Sequence, residues 1–301
     1  MTRVAAILAA AVMAAGCAAG DAAVCRTDTD CASGVCLAGG TCALAMDAGG
    51  EDGAPGTDGA PASDGDVVTC APDHDYVITR DEVLLAAGQQ ATFRIAQDVT
   101  VSTAGTLSPQ GEQSWDLAAS LAGDHDVEVH LEPMTGHWFA PSFPGASYAV
   151  RLSSTNDLLG VFELTDDALL LRGVVSPEGG PTRTELAYDP PVTVLELPLT
   201  STSAWSVDTT ATGVTGGVWA VATESYDIAV DAGGIVATPY GPFPVLRVAT
   251  DLTRTAGGVV VTSKSYAFVA ECYGIVATIA SHEYETDDDF SEASEVRRLA
   301  P

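Results

Sequence analysis

Short stretches in which apolar and polar residues alternate fill the chain from residue 67 to residue 301. Successive side chains of a strand point to opposite faces of a sheet, so this period of two predicts strands with one buried face. Clusters of Gly, Pro and Asp, such as 176–181 and 231–234, separate the stretches and predict turns. The pattern therefore predicts a mainly β domain over 67–301. Its clearest strands are 91–96, 126–131, 148–152, 159–164, 169–175, 192–197, 218–223, 245–250 and 266–270.

Two further features of the pattern concern this domain. The sequence Asp-Phe-Ser-Glu at 289–292 matches a capping box and predicts one short helix, followed by a last strand at 295–299. Leu107 precedes Trp115 by eight residues, and Leu197 precedes Trp205 by the same distance. This echo leaves two β lobes open as an alternative to one sheet, although a buried tryptophan at the start of a strand contributes the same packing in either case.

The first 16 residues predict export from the cytoplasm. A basic start leads into an apolar run from 4 to 15, which has the length of a signal-peptide core and is too short to span a bilayer. The run ends in Ala-Ala-Gly-Cys17, which resembles the lipobox of bacterial lipoproteins. The resemblance implies a signal peptide at 1–16, lipidation of Cys17 and, because Ala18 rather than Asp follows, an outer-membrane anchor. A plain secretory signal is the alternative.

Seven cysteines are present, and lipidation of Cys17 leaves six, an even number that suits an oxidising compartment. Four of them lie within an 18-residue segment, at Cys25, Cys31, Cys36 and Cys42. The segment has too few apolar side chains for a core, so cross-links would have to hold its shape. Four cysteines allow three pairings, and the spacing does not choose among them. A zinc site is a rival interpretation, although such sites use closer cysteine pairs.

The same segment, CRTDTDCASGVCLAGGTC, resembles the small cysteine knots of bacterial surface lipoproteins and of some animal secreted proteins. By that resemblance Cys25 pairs with Cys36 and Cys31 with Cys42, and residues 17–42 form a lipidated, disulfide-rich module. The remaining pair, Cys70 and Cys272, lies 202 positions apart. A bond between them would hold the two ends of the β domain together.

Residues 43–66 consist mainly of Asp, Gly, Ala and Pro, a composition that cannot form a core. We therefore predict a disordered linker, with an end-to-end distance of about 25 to 30 Å for a flexible chain of this length. Its acids do not follow the twelve-residue pattern of a calcium-binding loop, and such runs usually stay solvated.

The chain has 41 acidic and 12 basic residues, for a formal net charge of −29. Such a surface repels phosphate backbones and anionic headgroups, which excludes nucleic acid as a partner and leaves the lipid anchor as the expected contact with a membrane. With 47% hydrophobic and only 18% charged residues, the chain has enough apolar side chains for a packed core.

Two C-terminal stretches carry a further resemblance. The sequences YDPPVTVLELPL at 188–199 and IVATPYGPFPVLRV at 235–248, followed by YAFVA at 266–270, are similar to uncharacterised bacterial outer-membrane or surface lipoproteins. The resemblance covers residues 188–301 and implies a large curved antiparallel sheet, as a half-barrel or a sandwich. It brings no assigned activity, and the more distant likeness to half-barrels that carry lipoproteins concerns the fold alone.

Motifs of common enzyme chemistry are missing from the sequence, including the P-loop, G-x-S-x-G and H-E-x-x-H. His125, His130 and His137 lie among acids. Residues 125 and 130 of one strand point to opposite faces, so they cannot bind one metal together. Asp126, Glu128 and His130 share one face of that strand, which we interpret as a solvated polar face. We predict no catalytic residue, metal or cofactor. A glycosidase using two of the many acids remains a weaker idea, because no pair stands out.

Two hypotheses for the function remain. In the first, the chain is a non-enzymatic envelope lipoprotein that displays its β domain to an unknown protein or glycan partner. In the second, the concave face of the sheet carries a hydrophobic ligand such as an acyl lipid. Apolar strand interiors are expected in both cases, and a dry core is the more common use of them.

Overall fold

A computed structural model describes residues 70–109 and 111–301 of the chain. Four predictions lie outside these residues: the signal peptide at 1–16, lipidation of Cys17, the two disulfides within 17–42, and the linker at 43–66. No helix in the described residues is long and apolar enough to cross a bilayer.

The described residues form one sheet of 14 strands. The strands are β1 (Gln90–Thr100), β2 (Thr106–Leu107), β3 (Gln113–Asp116), β4 (His125–His130), β5 (Tyr148–Arg151), β6 (Leu159–Leu164), β7 (Ala168–Val175), β8 (Glu185–Glu196), β9 (Ala204–Thr215), β10 (Val218–Ala237), β11 (Pro242–Ala256), β12 (Val259–Ala270), β13 (Gly274–Ser281) and β14 (Glu292–Leu299).

The main path of the sheet runs β4-β1-β14-β13-β12-β11-β10-β9-β8-β7-β6-β5, with antiparallel neighbours throughout. Its two ends meet, because Glu132 after β4 and Ala149 in β5 exchange two backbone hydrogen bonds of 2.7 and 2.9 Å. The mainly β fold with a large curved antiparallel sheet is therefore confirmed. The strands belong to one continuous sheet and not to two lobes.

The short helix predicted at 289–292 is wrong. Phe290 lies in a loop, with its ring buried and stacked on Tyr266 at 5.7 Å, and its carbonyl accepts a hydrogen bond from the Thr103 hydroxyl. These tertiary contacts fix the backbone in a loop, and Glu292 already begins β14. The described residues contain two single 3-10 turns instead, Arg80–Glu82 and Ala140–Ser142.

The core fills the inner face of the sheet. Trp115 and Phe268 meet edge to face there, with their ring centres 5.1 Å apart. The buried Arg247 guanidinium lies between the rings of Trp115 and Tyr266 and pairs with Asp231 at 2.7 Å. A buried cation is thereby both stacked and neutralised, so it does not disrupt the apolar interior.

β10 is the longest strand and organises one side of the sheet. Along 218–229 it pairs with β9, and along 234–237 the same edge pairs with β3 in parallel. Gly234 makes the second pairing possible, because a Cβ atom at this position would collide with the backbone carbonyl of Gln113. β10 is thus held by β9 at one end and by β3 at the other.

A disulfide joins Cys70 to Cys272, with their Cα atoms 5.6 Å apart. Cys272 lies in the turn between β12 and β13, so the first described residue is fixed to this end of β12. The other end of β12, at Val259, lies about 36 Å away, since the strand has 12 residues and rises about 3.3 Å per residue. The hairpin turns near Val259 are therefore far from Cys70.

Candidate functional site

An open groove lies where β8 separates from β9. β8 pairs with β9 only along its residues Glu185 to Asp189. Beyond that point the Thr209 hydroxyl donates a hydrogen bond to the carbonyl of Pro190. The groove has a volume of about 480 Å³, within the range of ligand sites. We call it the hydroxyl groove, and its lining residues are Asp189, Pro190, Asp208, Thr209, Thr210, Thr223, Glu224, Ser225, Thr253 and Thr255.

The register of β9, β10 and β11 places small polar side chains in two rows on the outer face. Thr223 pairs with Thr210 on one side and with Thr255 on the other, and Ser225 likewise pairs with Asp208 and Thr253. These side chains are exposed or half-buried, whereas the alternate positions on the same strands are mostly buried. Hydroxyl groups both donate and accept hydrogen bonds, and carboxylates accept them. The two rows therefore present hydrogen-bond donors and acceptors on neighbouring strands, separated by the distance between strands.

Glu224 lies beneath these rows and turns towards the interior, with 2% of its side chain exposed. Its carboxylate accepts a hydrogen bond from the Tyr226 hydroxyl and lies 3.2 Å from Nε of Arg254. Burial raises the pKa of Glu224, although Tyr226, Arg254 and Tyr188 favour the charged form. Burial also raises the pKa of both tyrosines well above the ordinary value, so they remain hydrogen-bond donors. This buried polar layer forms a fixed floor under the groove.

One apolar cavity on the inner face of the described sheet is small. An apolar cavity lined by residues such as Val192, Tyr226, Val248 and Ile275 has a volume of about 20 Å³. One water molecule requires about 10 to 15 Å³, whereas ligand sites have several hundred. This cavity is therefore too small for an acyl chain.

The histidines singled out in the sequence do not form a common site in the described residues. His130 lies 3.5 Å from Glu128 on an exposed face of β4, and His137 lies 3.2 Å from Glu132 and stacks on Phe139. His125 contacts only the carbonyl of Gly123 among the hydrogen bonds of the described part. Each ring has a local partner.

One acidic cluster could hold a cation. Asp73, Asp75 and Glu271 each place a carboxylate oxygen within 4.8 Å of the others, and such oxygens suit calcium. Each carboxylate also accepts a backbone N–H, and Glu271 receives it from His74 at 2.8 Å. These hydrogen bonds account for the arrangement without an ion.

Sequence reasoning did not find the hydroxyl groove. Its residues come from four separate parts of the chain, and only the register of β8, β9, β10 and β11 brings them together. A weak signal is present: residues 209–223 contain no charged side chain, which is unusual in a chain with a net charge of −29.

No protein-family model matches the chain, and no curated protein matches it. Among solved structures, it is similar to a candidate lipoprotein of Parabacteroides distasonis, with 8% identity and a TM-score of 0.35 over 71% of this chain and 95% of the other. It is also similar to a candidate exported protein with a YmcC-like fold from Bacteroides fragilis, with 10% identity and a TM-score of 0.28 over 71% and 96% of the two chains. Similarity at this level assigns no family.

Proposed function

We propose that this chain is a non-enzymatic lipoprotein of the outer membrane, anchored through Cys17, whose β domain binds a glycan in the hydroxyl groove. The observation that supports a glycan as the ligand is the polar lining of the groove. Threonine, serine and aspartate provide most of it, and neither an aromatic nor a large aliphatic side chain takes part. Sugars present hydroxyl groups in many directions and match such donors and acceptors. Protein interfaces favour aromatic and apolar side chains at their centre.

The groove lies far from the first described residue. Cys70 is bonded to Cys272 beside the β12–β13 turn, whereas the groove lies towards the opposite ends of β10 and β11. The ligand would be neutral or cationic, because Asp189 and Asp208 are exposed and would repel acidic sugars.

Binding to immobilised glycans tests the proposal. The mature chain carrying Cys17→Ser, which removes the lipid, would be compared with Asp208→Ala in the same background. Asp166→Ala is the matched control, since Asp166 is an exposed carboxylate in the turn between β6 and β7. We expect binding to neutral or amino sugars that Asp208→Ala weakens and Asp166→Ala leaves unchanged. Absence of binding, or equal loss in both variants, would refute the groove as a glycan site.

The anchor has its own test. The intact mass of the mature protein purified from membranes should correspond to an acylated Cys17 as the first residue. Any other N-terminus would refute lipidation, without bearing on the groove.

A further inference from the structure

The hairpin of β9 and β10 extends beyond its neighbour. β10 pairs with β9 from Val218 onwards, but its pairing with β11 begins only at Ala222, which faces Ala256. No strand of the described residues pairs with the β11 side of Val218–Val221. We call these four residues the open edge.

The open edge presents backbone N–H and C=O groups that no strand of the described residues pairs. Thr215 and Val218 flank the two-residue turn at Gly216 and Gly217, and residues in this place exchange hydrogen bonds within the hairpin. Alternation along the strand then directs the N–H and C=O of Trp219 and Val221 away from β9. An unpaired row of this kind is a template for another strand.

Apolar side chains surround these backbone groups. Val218, Trp219 and Val221 are 69%, 70% and 47% exposed, and Val259 and Val260 at the adjacent β11–β12 turn are 54% and 51% exposed. Residues 209–223 and 255–263 contain no charged side chain. An exposed tryptophan within an uncharged apolar patch is typical of an interaction surface.

The hairpin is braced in this position. Gly217 donates its N–H to the carbonyl of Arg183 at 2.9 Å, and Gly216 donates to the Thr184 hydroxyl at 3.3 Å. Gly217 has a φ of 81°, and a Cβ atom there would collide with the carbonyl of Pro181. The edge is thus preformed, which lowers the entropy lost on binding.

We propose that the open edge accepts an extended, uncharged peptide segment of another protein as an added strand. A bilayer offers no hydrogen-bond partners for the N–H and C=O groups of Trp219 and Val221. A second copy in antiparallel pairing would drive its own Gly216–Gly217 turn into the end of β11, and two chains of charge −29 repel each other. The preceding segment of the same chain, residues 43–66, consists mainly of Asp, Gly, Ala and Pro, which are rare in strands.

The added strand would lie in line with β11, beyond its turn. On one face its side chains would meet Trp219, Val221 and Val260, and on the other Val218 and Val259, as the register of the hairpins dictates. β-Branched and aromatic residues suit such positions. The partner segment is therefore expected to be rich in these residues and free of charge.

A phage-displayed library of random nine-residue peptides provides the probe, selected on the mature chain carrying Cys17→Ser. The decisive variant is Val221→Pro, which removes an N–H from the open edge, and its control is Val221→Thr, which keeps it. We expect uncharged, β-branched peptides whose affinity falls at least tenfold in Val221→Pro and less than threefold in Val221→Thr. Recovery of no peptide, or equal binding by both variants, would overturn the proposal.

Hydrogen exchange gives a readout that does not depend on the folding of Val221→Pro. The selected peptide should slow amide exchange at residues 217–222 of the unsubstituted edge, and protection elsewhere would overturn the proposal. Dimerisation of the chain through the same residues would identify a second copy as the occupant and also overturn it. Asp208→Ala in the hydroxyl groove should leave peptide binding unchanged, which separates this proposal from the proposed function.

Discussion

Arg254 supports the floor of the hydroxyl groove, and replacing it tests that role. The variant Arg254→Met keeps most of the side chain's length but leaves the Glu224 carboxylate without its cation. The two side chains are 16% and 2% exposed. Removing one partner of a buried pair costs about 3 to 5 kcal/mol, and we expect the lower end because Tyr226 still donates to the carboxylate.

The loss should depend on pH. The pKa of Glu224 is raised above its ordinary 4.5, so the folded protein binds this proton more tightly than the unfolded chain does. The stability that the folded protein gains by holding this proton on Glu224 is therefore lost as pH rises from about 4.5 through the raised pKa. Without Arg254 the carboxylate is still harder to ionise. We expect a small difference between variant and wild type at pH 4 and the full loss, about 3 kcal/mol, at pH 7.5.

Urea unfolding followed by far-UV circular dichroism at both pH values measures this difference. Lys264→Met is the matched control, because Lys264 is also 16% exposed while its partners Asp251 and Asp288 are 58% and 86% exposed. It should show a small loss with little pH dependence. Adding Glu224→Gln to Arg254→Met should restore most of the stability at pH 7.5. An equal loss at both pH values, or no recovery in the double variant, would contradict the pairing of Arg254 with Glu224 as the source of this stability.

Three further predictions concern the scaffold, each measured by urea unfolding. Replacing Cys70 and Cys272 by serine should cost up to about 5 kcal/mol, because the bond closes a loop of 202 residues in the unfolded chain; a loss below 1 kcal/mol would contradict this. Asp124→Ala should lower the free energy of unfolding by about 3 to 5 kcal/mol, because it removes the carboxylate that pairs with the fully buried Arg298. Asp126→Ala, in the exposed pair with Arg94, should change it little. Equal losses in the two variants would contradict this prediction. Gly234→Ala should cost about 1 to 3 kcal/mol through its collision with β3, and a neutral result would contradict that packing.

The sequence predicted the half-buried strands well, because their two faces differ in polarity. It missed β13, in which all eight residues are buried and no alternation remains. A last strand was predicted at 295–299, but the two arginines near its end gave no sign that this end of β14 is buried. Arg298 is fully buried, and its charge is met by Asp124 and by the carbonyls of Leu117 and Ala119, contacts that no local pattern reveals.

The candidate sites depend even more on tertiary structure. Thr223 and Ser225 look like any solvated face of a strand until the register places Thr210, Thr255 and Asp208 beside them. The open edge arises from a difference in length between two hairpins, which depends on the pairing of Ala222 with Ala256. Periodicity gives the faces of a strand but not its register with a partner.

Calorimetric titration of the best-binding glycan shows whether the ligand occupies the hydroxyl groove. The titration would use the mature chain with Cys17→Ser and its Asp208→Ala variant. A hydrogen bond to a charged group contributes about 1.5 to 3 kcal/mol, so we expect an affinity about 10- to 150-fold weaker in the variant. Equal affinities in the two proteins would contradict the assignment of the ligand to the hydroxyl groove.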